Sequence, residues 1–212
     1  VGYDLIFPST YYLQMLADAK LIQPFSLDLL PNVRKNFDPQ FRDKVFDPSL
    51  TWAVPYTVVY TGMAVNGKRF PALEPSWNLY LDSRFAGRAT LIDDMRMTIG
   101  AALKALGYSL NSVKPEEIAA AKELVIKWKK NIARFENEAY KTGLASSEFF
   151  LCMAYSGDIA QVQEDTPDVR FVYPKEGFPC SCDEMCIPAD ARHVELAHKF
   201  VDSLYRPERA AK

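Results

Sequence analysis

Apolar and polar residues follow one another along this chain in blocks that predict strands followed by helices, the pattern of an α/β protein. Residues 3–7, Tyr-Asp-Leu-Ile-Phe, predict a buried parallel strand that ends at Pro8. Ser9 or Thr10 can then cap a helix over residues 11–20. Because open α/β sheets bind ligands at the carboxyl ends of their strands, the hydroxyls and tyrosines here are candidate ligand contacts.

The same reasoning predicts the later elements. Strands are expected at residues 52–66, 89–92, 148–155 and 169–173, and residues 24–50 are expected to be mostly connection. Helices are expected after residue 94 up to Gly107, from Pro115, from Ile159, and before Tyr205. The helix from Pro115 carries an apolar stripe at spacings of three or four residues: Ile118, Ala121, Val125, Trp128 and Ile132.

Composition narrows the class of protein. The 212 residues suffice for one large domain or two small ones, and 49% hydrophobic with 25% charged residues is typical of globular proteins. A net charge of −2 argues against a polybasic surface for nucleic acid. The first predicted strand begins at once, with no initiator Met and no charged or apolar leader before it. We therefore expect an internal piece of a longer protein.

The four cysteines leave three possibilities open. Three of them, Cys180, Cys182 and Cys186, lie within seven residues, and the fourth is Cys152. Their spacing fits no zinc finger or ribbon, so no metal site is expected. A disulfide is favoured in an oxidising compartment, and unpaired buried thiols are the alternative.

No pattern of catalytic residues is found. His193 and His198 are five residues apart on one predicted helix, do not share a face well, and are expected to be ordinary surface or core residues. The chain has no Gly-x-Ser-x-Gly, no Walker loop and no dinucleotide fingerprint. We therefore expect neither an enzyme nor a bound cofactor.

A series of short motifs runs in order along the chain. They are Tyr-Asp-Leu-Ile-Phe-Pro-Ser-Thr-Tyr-Tyr, Phe-Asp-Pro, Val-Pro-Tyr, Ala-Val-Asn-Gly, Leu-Ile-Asp-Asp-Met-Arg, Ala-Leu-Gly-Tyr-Ser-Leu-Asn, Tyr-Pro-Lys-Glu-Gly, Cys-Ile-Pro-Ala-Asp-Ala and Leu-Tyr-Arg-Pro-Glu-Arg-Ala-Ala-Lys. Each is weak alone, but together the chain resembles the bacterial periplasmic spermidine/putrescine-binding proteins, the receptors of polyamine ABC importers.

The resemblance implies a two-lobed, type II periplasmic binding protein fold, incomplete at both termini, in which ligand closes a cleft. Residues 1–58 with 183–212 would form the first lobe, and residues 59–182 the second. The implied ligand is putrescine or spermidine, bound without a cofactor. The implied partner is the membrane permease of the importer, and the implied location is the periplasm, with or without a lipid anchor.

The family pattern also implies a set of ligand-binding residues. They are Ser9, Tyr11, Asp94, Tyr155, Asp158 and Asp183. Carboxylates suit the ammonium groups of a polyamine, and aromatic rings suit its methylene chain. The residues themselves allow simpler interpretations, because the three acids could cap helices or turns and the two tyrosines could be core residues.

Two departures from the family pattern bear on ligand choice. Met97 stands where the family usually has a glutamate, and Ser181 where it has an aromatic residue. With one amine anchor and one stacking ring fewer, we expect a preference for putrescine over spermidine, or weak binding of both. A receptor for another small ligand on the same fold, or a sensor or interaction protein without transport, remains an alternative.

Overall fold

The computed structural model of the chain describes residues 2–210, apart from the side chains of residues 43, 44 and 210. The chain forms two compact units. The first unit comprises residues 1–58 and 181–212, and the second unit comprises residues 59–180. The sequence predicts boundaries at 58/59 and 182/183, whereas the structure has its second boundary at 180/181. Between residues 2 and 210, no helix is both long and apolar enough to span a bilayer.

Helices and strands alternate along the chain, which confirms the expected α/β class. Up to residue 66 they are α1 (Thr10–Asp18), β1 (Ile22–Gln23), α2 (Pro31–Asn36) and β2 (Val54–Asn66). Next come β3 (Ala89–Leu91), α3 (Met95–Ala105), α4 (Pro115–Trp128), β4 (Ile132–Phe135), α5 (Tyr140–Ala145), β5 (Leu151–Tyr155) and α6 (Ser156–Asp165). The last are β6 (Val169–Val172), β7 (Cys180–Met185), β8 (Ile187–Pro188), α7 (Val194–Leu204) and α8 (Pro207–Ala210). Short 3₁₀ turns lie at Leu27–Leu29, Pro39–Lys44, Trp77–Leu81 and Ser83–Phe85.

The main sheet has the strand order β4-β3-β5-β2-β6, and β7 also pairs with β2. Strand β2 runs antiparallel to β5 and β6, and residues 61–66 of β2 are all buried. Such an unbroken run of buried residues is typical of a strand with both faces covered. Strand β3 runs parallel to β4 and β5, so the carboxyl ends of β3 and β5 lie at the same edge of the sheet.

Local sequence signals explain the helices of the second unit. The Asp94 carboxylate accepts a hydrogen bond from the Met97 N–H and caps α3, and Gly107, with φ of +80°, ends the same helix. Pro115 occupies the first turn of α4, as expected. The predicted stripe of α4 is wrong at both ends, because Ile118 is 40% exposed and Ile132 belongs to β4.

In the first unit, α7 packs beside α2 and caps its N-terminus. Asp202 accepts from the Asn32 N–H at 2.6 Å and from the Val33 N–H at 3.3 Å, so α7 caps a helix that its own Leu30 cannot cap. His198 is buried, with Nε2 accepting from the Ser26 N–H at 2.8 Å and Nδ1 lying 2.7 Å from the Val194 carbonyl oxygen. His198 therefore links α7 to the segment around Ser26.

The apolar core of the first unit combines residues from both stretches of chain that form it. One cluster contains Phe25, Leu30, Val33, Phe37, Leu50, Val54, Met185, Ile187, Ala197 and Val201. A smaller cluster under α1 contains Leu13, Ile22, Ala53 and Cys186. Residues before position 58 therefore depend on residues after position 181 for their burial.

The predicted parallel strand at residues 3–7 is wrong. Ile6 and Cys186 exchange backbone hydrogen bonds of 3.0 Å in an isolated antiparallel bridge, and Ser9 and Asp183 form a second bridge. Tyr3 is 67% exposed and Phe7 is 44% exposed. An apolar run does not by itself fix the direction of pairing, and here the neighbouring segment runs the opposite way.

Candidate functional site

Ser9 and Asp183 meet at the start of α1. Ser9 occupies the N-cap position, but its side chain does not cap the helix. Its Oγ donates to Asp183 Oδ1 at 2.8 Å. Asp183 lies within strand β7, so the capping interpretation fails for this residue. The half-buried Asp183 carboxylate is thus held by a neutral donor.

Tyr11 follows in the first turn of α1. Its side chain is half-buried, and its ring centroid lies 4.5 Å from that of Tyr12 with the planes tilted by 44°. Ser9, two residues before Tyr11, contacts Asp183. The first unit therefore joins two of the six predicted site residues, Ser9 and Asp183, and Tyr11 lies two residues further along the chain.

Beside this group lies a buried acid that the sequence analysis missed. Glu184 is fully buried, and its Oε1 lies 2.8 Å from Thr10 Oγ1 and 3.0 Å from the Phe46 backbone nitrogen. Its Oε2 is buried without a hydrogen-bond partner among the residues that the structure describes. Burial raises the pKa of Glu184, and the nearby Asp47 raises it further, while the Phe46 and Thr10 bonds oppose the shift.

The other three predicted residues lie in the second unit. Asp94 follows β3, Tyr155 ends β5, and Asp158 lies in the first turn of α6. Since β3 and β5 are parallel neighbours, the segments that follow them leave the same edge of the sheet. Asp94, Tyr155 and Asp158 therefore lie at or just after the carboxyl ends of β3 and β5, the edge of the sheet at which α/β proteins bind ligands.

Asp158 has two partners on α5. Tyr140 Oη donates a hydrogen bond to Asp158 Oδ2, and Lys141 Nζ lies 3.9 Å from the same oxygen. Tyr140 is fully buried, and burial together with this bond raises the pKa of its hydroxyl well above the ordinary range. Lys141 also lies 2.8 Å from Glu138 Oε2, a contact that is the main reason why the pKa of Lys141 is raised.

For Asp94 the capping interpretation holds. Its Oδ1 accepts from the Met97 N–H at 2.9 Å, so this residue has a structural role whether or not it also meets a ligand. Met97 is only 5% exposed, and its sulfur lies 3.7 Å from Thr61 Oγ1. Whether position 97 faces the ligand stays a prediction.

None of the four cysteines, all of which the structure describes, forms a disulfide. Cys152, Cys182 and Cys186 are buried, while Cys180 is exposed. Burial raises the pKa of the Cys186 thiol to about 12. Within the described part of the chain, no three His, Cys, Asp or Glu residues are arranged to hold a metal ion.

Sequence reasoning missed two residues that contact the predicted set, Tyr140 and Lys141, and it missed the pairing of Thr10 with Glu184 beside Ser9 and Asp183. Glu184 follows Asp183 directly, and strand alternation could have placed it on the opposite, buried face. Tyr140 lies 18 residues before Asp158, and no local spacing connects the two.

The whole chain, residues 1–212, matches the model of a family described as bacterial extracellular solute-binding protein. The chain belongs to this family.

Similar proteins extend the family match. The chain is 34% identical over 208 residues to the spermidine/putrescine-binding periplasmic protein of Escherichia coli, covering 98% of this chain and 60% of that protein. It is 28% identical to the putrescine-binding periplasmic protein PotF of the same organism. The crystal structure of the TpPotD lipoprotein of Treponema pallidum matches with a TM-score of 0.92 and 31% identity, covering 99% of this chain and 67% of that one. The expected periplasmic binding protein fold is thus confirmed, and this chain spans about 60% of the length of the curated relatives it matches.

Proposed function

We propose that this protein is the substrate-binding receptor of a polyamine ABC importer and that it captures putrescine or spermidine. In this proposal it carries out no reaction, works in the periplasm, and delivers its ligand to a membrane permease. The names of its relatives support this ligand class, since those proteins are called spermidine/putrescine-binding and putrescine-binding. The two compact units would be the two lobes of the receptor.

The observation that carries the proposal is the Asp183 carboxylate. It accepts a hydrogen bond from Ser9 Oγ, and no ion pair joins it to any side chain that the structure describes. A carboxylate held in place by a neutral donor can give its whole charge to an incoming ammonium group. Tyr11, two residues after Ser9, supplies an aromatic face of the kind that methylene groups and cations prefer.

Isothermal titration calorimetry on the full-length protein tests the proposal. Putrescine and spermidine are expected to bind, and 1,4-butanediol, which keeps the four-carbon chain without the charges, is not. The absence of heat and of any thermal shift with both amines at millimolar concentration would refute the assignment. Binding of the diol as tightly as of putrescine would show that charge recognition plays no part.

The same titrations test the choice between the two amines. Met97 and Ser181 provide neither a further carboxylate nor a stacking ring, so the extra ammonium group of spermidine has fewer partners. We expect putrescine to bind at least as tightly as spermidine. A clear preference for spermidine would show that other residues supply the missing contacts.

A further inference from the structure

The pair Thr10–Glu184 lies directly beside the pair Ser9–Asp183. Strand β7 contributes both acids, and the start of α1 contributes both hydroxyls. The Glu184 N–H also donates to the Pro8 carbonyl oxygen at 3.0 Å. The position of Ser9 against Asp183 therefore depends on how firmly the next residue of each segment is held.

A count of donors and acceptors indicates the protonation state of Glu184. Thr10 Oγ1 has one proton, but it lies 2.7 Å from the Cys182 carbonyl oxygen and 2.8 Å from Glu184 Oε1. If Glu184 carries a proton on Oε1, it donates to Thr10, and Thr10 donates to Cys182. The same Oε1 still accepts from the Phe46 N–H, and Oε2 remains an uncharged carbonyl oxygen.

The surroundings of Glu184 agree with a neutral acid. The titratable groups that act on it, among the side chains that the structure describes, are Asp47, Cys186 and Tyr205, and none of them can carry a positive charge. Asp183, the next acid along the strand, bonds to Ser9. An ionised Glu184 would leave a charged, unpaired Oε2 in the core, which is costly.

We propose that Glu184 is a protonated carboxylic acid that ties Thr10 and residue 46 to strand β7 and thereby positions Ser9 against Asp183. Glu184 is a positioning residue and is not expected to touch the ligand. The positioning role rests on the proposed function, whereas the protonation state does not.

Infrared spectroscopy and unfolding experiments test the protonation state without any ligand. The spectrum of the wild type at neutral pH should contain a protonated-carboxyl band that Glu184→Gln removes and the exposed control Glu116→Gln retains. The pKa of Glu184 is higher in the folded state than its ordinary value of 4.5, which applies to the unfolded chain. Its contribution to the free energy of unfolding therefore falls as pH rises from 4.5 towards the pKa of the folded state. The wild type should therefore lose stability across this window relative to Glu184→Gln. Identical spectra and parallel stability profiles would overturn the proposal.

The positioning role is tested by putrescine titration at pH 5.5, with Thr10→Val compared against Thr10→Ser. Losing the hydroxyl should weaken binding about tenfold, whereas serine, which keeps it, should restore most of the affinity. Glu184→Gln, which keeps an acceptor for Phe46, should stay within about threefold of the wild type. Equal affinities for Thr10→Val and Thr10→Ser would overturn the positioning role. If the wild type itself bound no amine, the proposed function would fail as well, and the infrared result would still decide the protonation state.

Discussion

Asp183 in the first unit and Asp158 in the second unit each accept a hydrogen bond from a hydroxyl group, but the charges beside them differ. Ser9 holds Asp183, and no described side chain forms an ion pair with it. Tyr140 holds Asp158, and the Lys141 ammonium lies 3.9 Å away. The chain thus offers one carboxylate whose charge is unshared and one that already has a primary ammonium for a neighbour.

Under the proposed function, this difference means that the residue type alone does not determine how strongly each carboxylate attracts an amine. Lys141 carries the same chemical group as an end of putrescine, so it competes for Asp158 in a way that nothing described does for Asp183. Lys141 is itself shared with Glu138 at 2.8 Å, which limits this competition. We therefore expect Asp183 to contribute more to amine affinity than Asp158.

Replacing Asp183 should have the largest effect. Asp183→Asn keeps the shape and the Ser9 contact but removes the charge, and we expect putrescine affinity to fall about 10²–10³-fold. Calorimetric titration measures this change, with Glu116→Gln on the exposed start of α4 as the matched control. If both variants bind like the wild type, Asp183 does not meet the amine.

Replacing Asp158 should have a smaller effect. Its charge is partly compensated by Lys141, so Asp158→Asn is expected to weaken putrescine binding only about tenfold. The experiment is the same titration under the same buffer and salt. A loss as large as that for Asp183→Asn would remove the distinction between the two carboxylates.

Removing the competing ammonium should have the smallest effect and the opposite sign. Lys141→Met is expected to tighten putrescine binding about threefold, because both side chains are partly exposed and solvent screens their interaction. The gain should disappear in the Asp158→Asn background and shrink at high salt. An equal gain with and without Asp158 would mean that Lys141 acts elsewhere.

Most of the fold follows from local signals. Strand β2 was predictable from its apolar run, and α3 from the Asp94 cap and Gly107. The start of α4 followed from Pro115. Each of these features depends on residues only a few positions apart, so a local sequence pattern is enough to predict it.

The errors concern contacts made over long sequence separations. Residues 3–7 resembled a buried strand, but their direction and exposure depend on residues 183–186. Ser9 was expected as a cap, whereas its hydroxyl bonds to Asp183, 174 positions away. The burial of Glu184 and the Tyr140 contact have the same origin, since only the folded chain brings these partners together.

The cap that Asp202 provides for α2 has a consequence for the order of folding. The two partners are 170 positions apart, so α2 lacks this cap until residue 202 has been synthesised. The second unit is continuous in sequence and can fold as soon as residue 180 is available. Until residues 185–201 are also present, the apolar core formed by residues 25–54 is incomplete. We expect pulse-labelling hydrogen exchange during refolding to protect β2, β3 and β5 before α2.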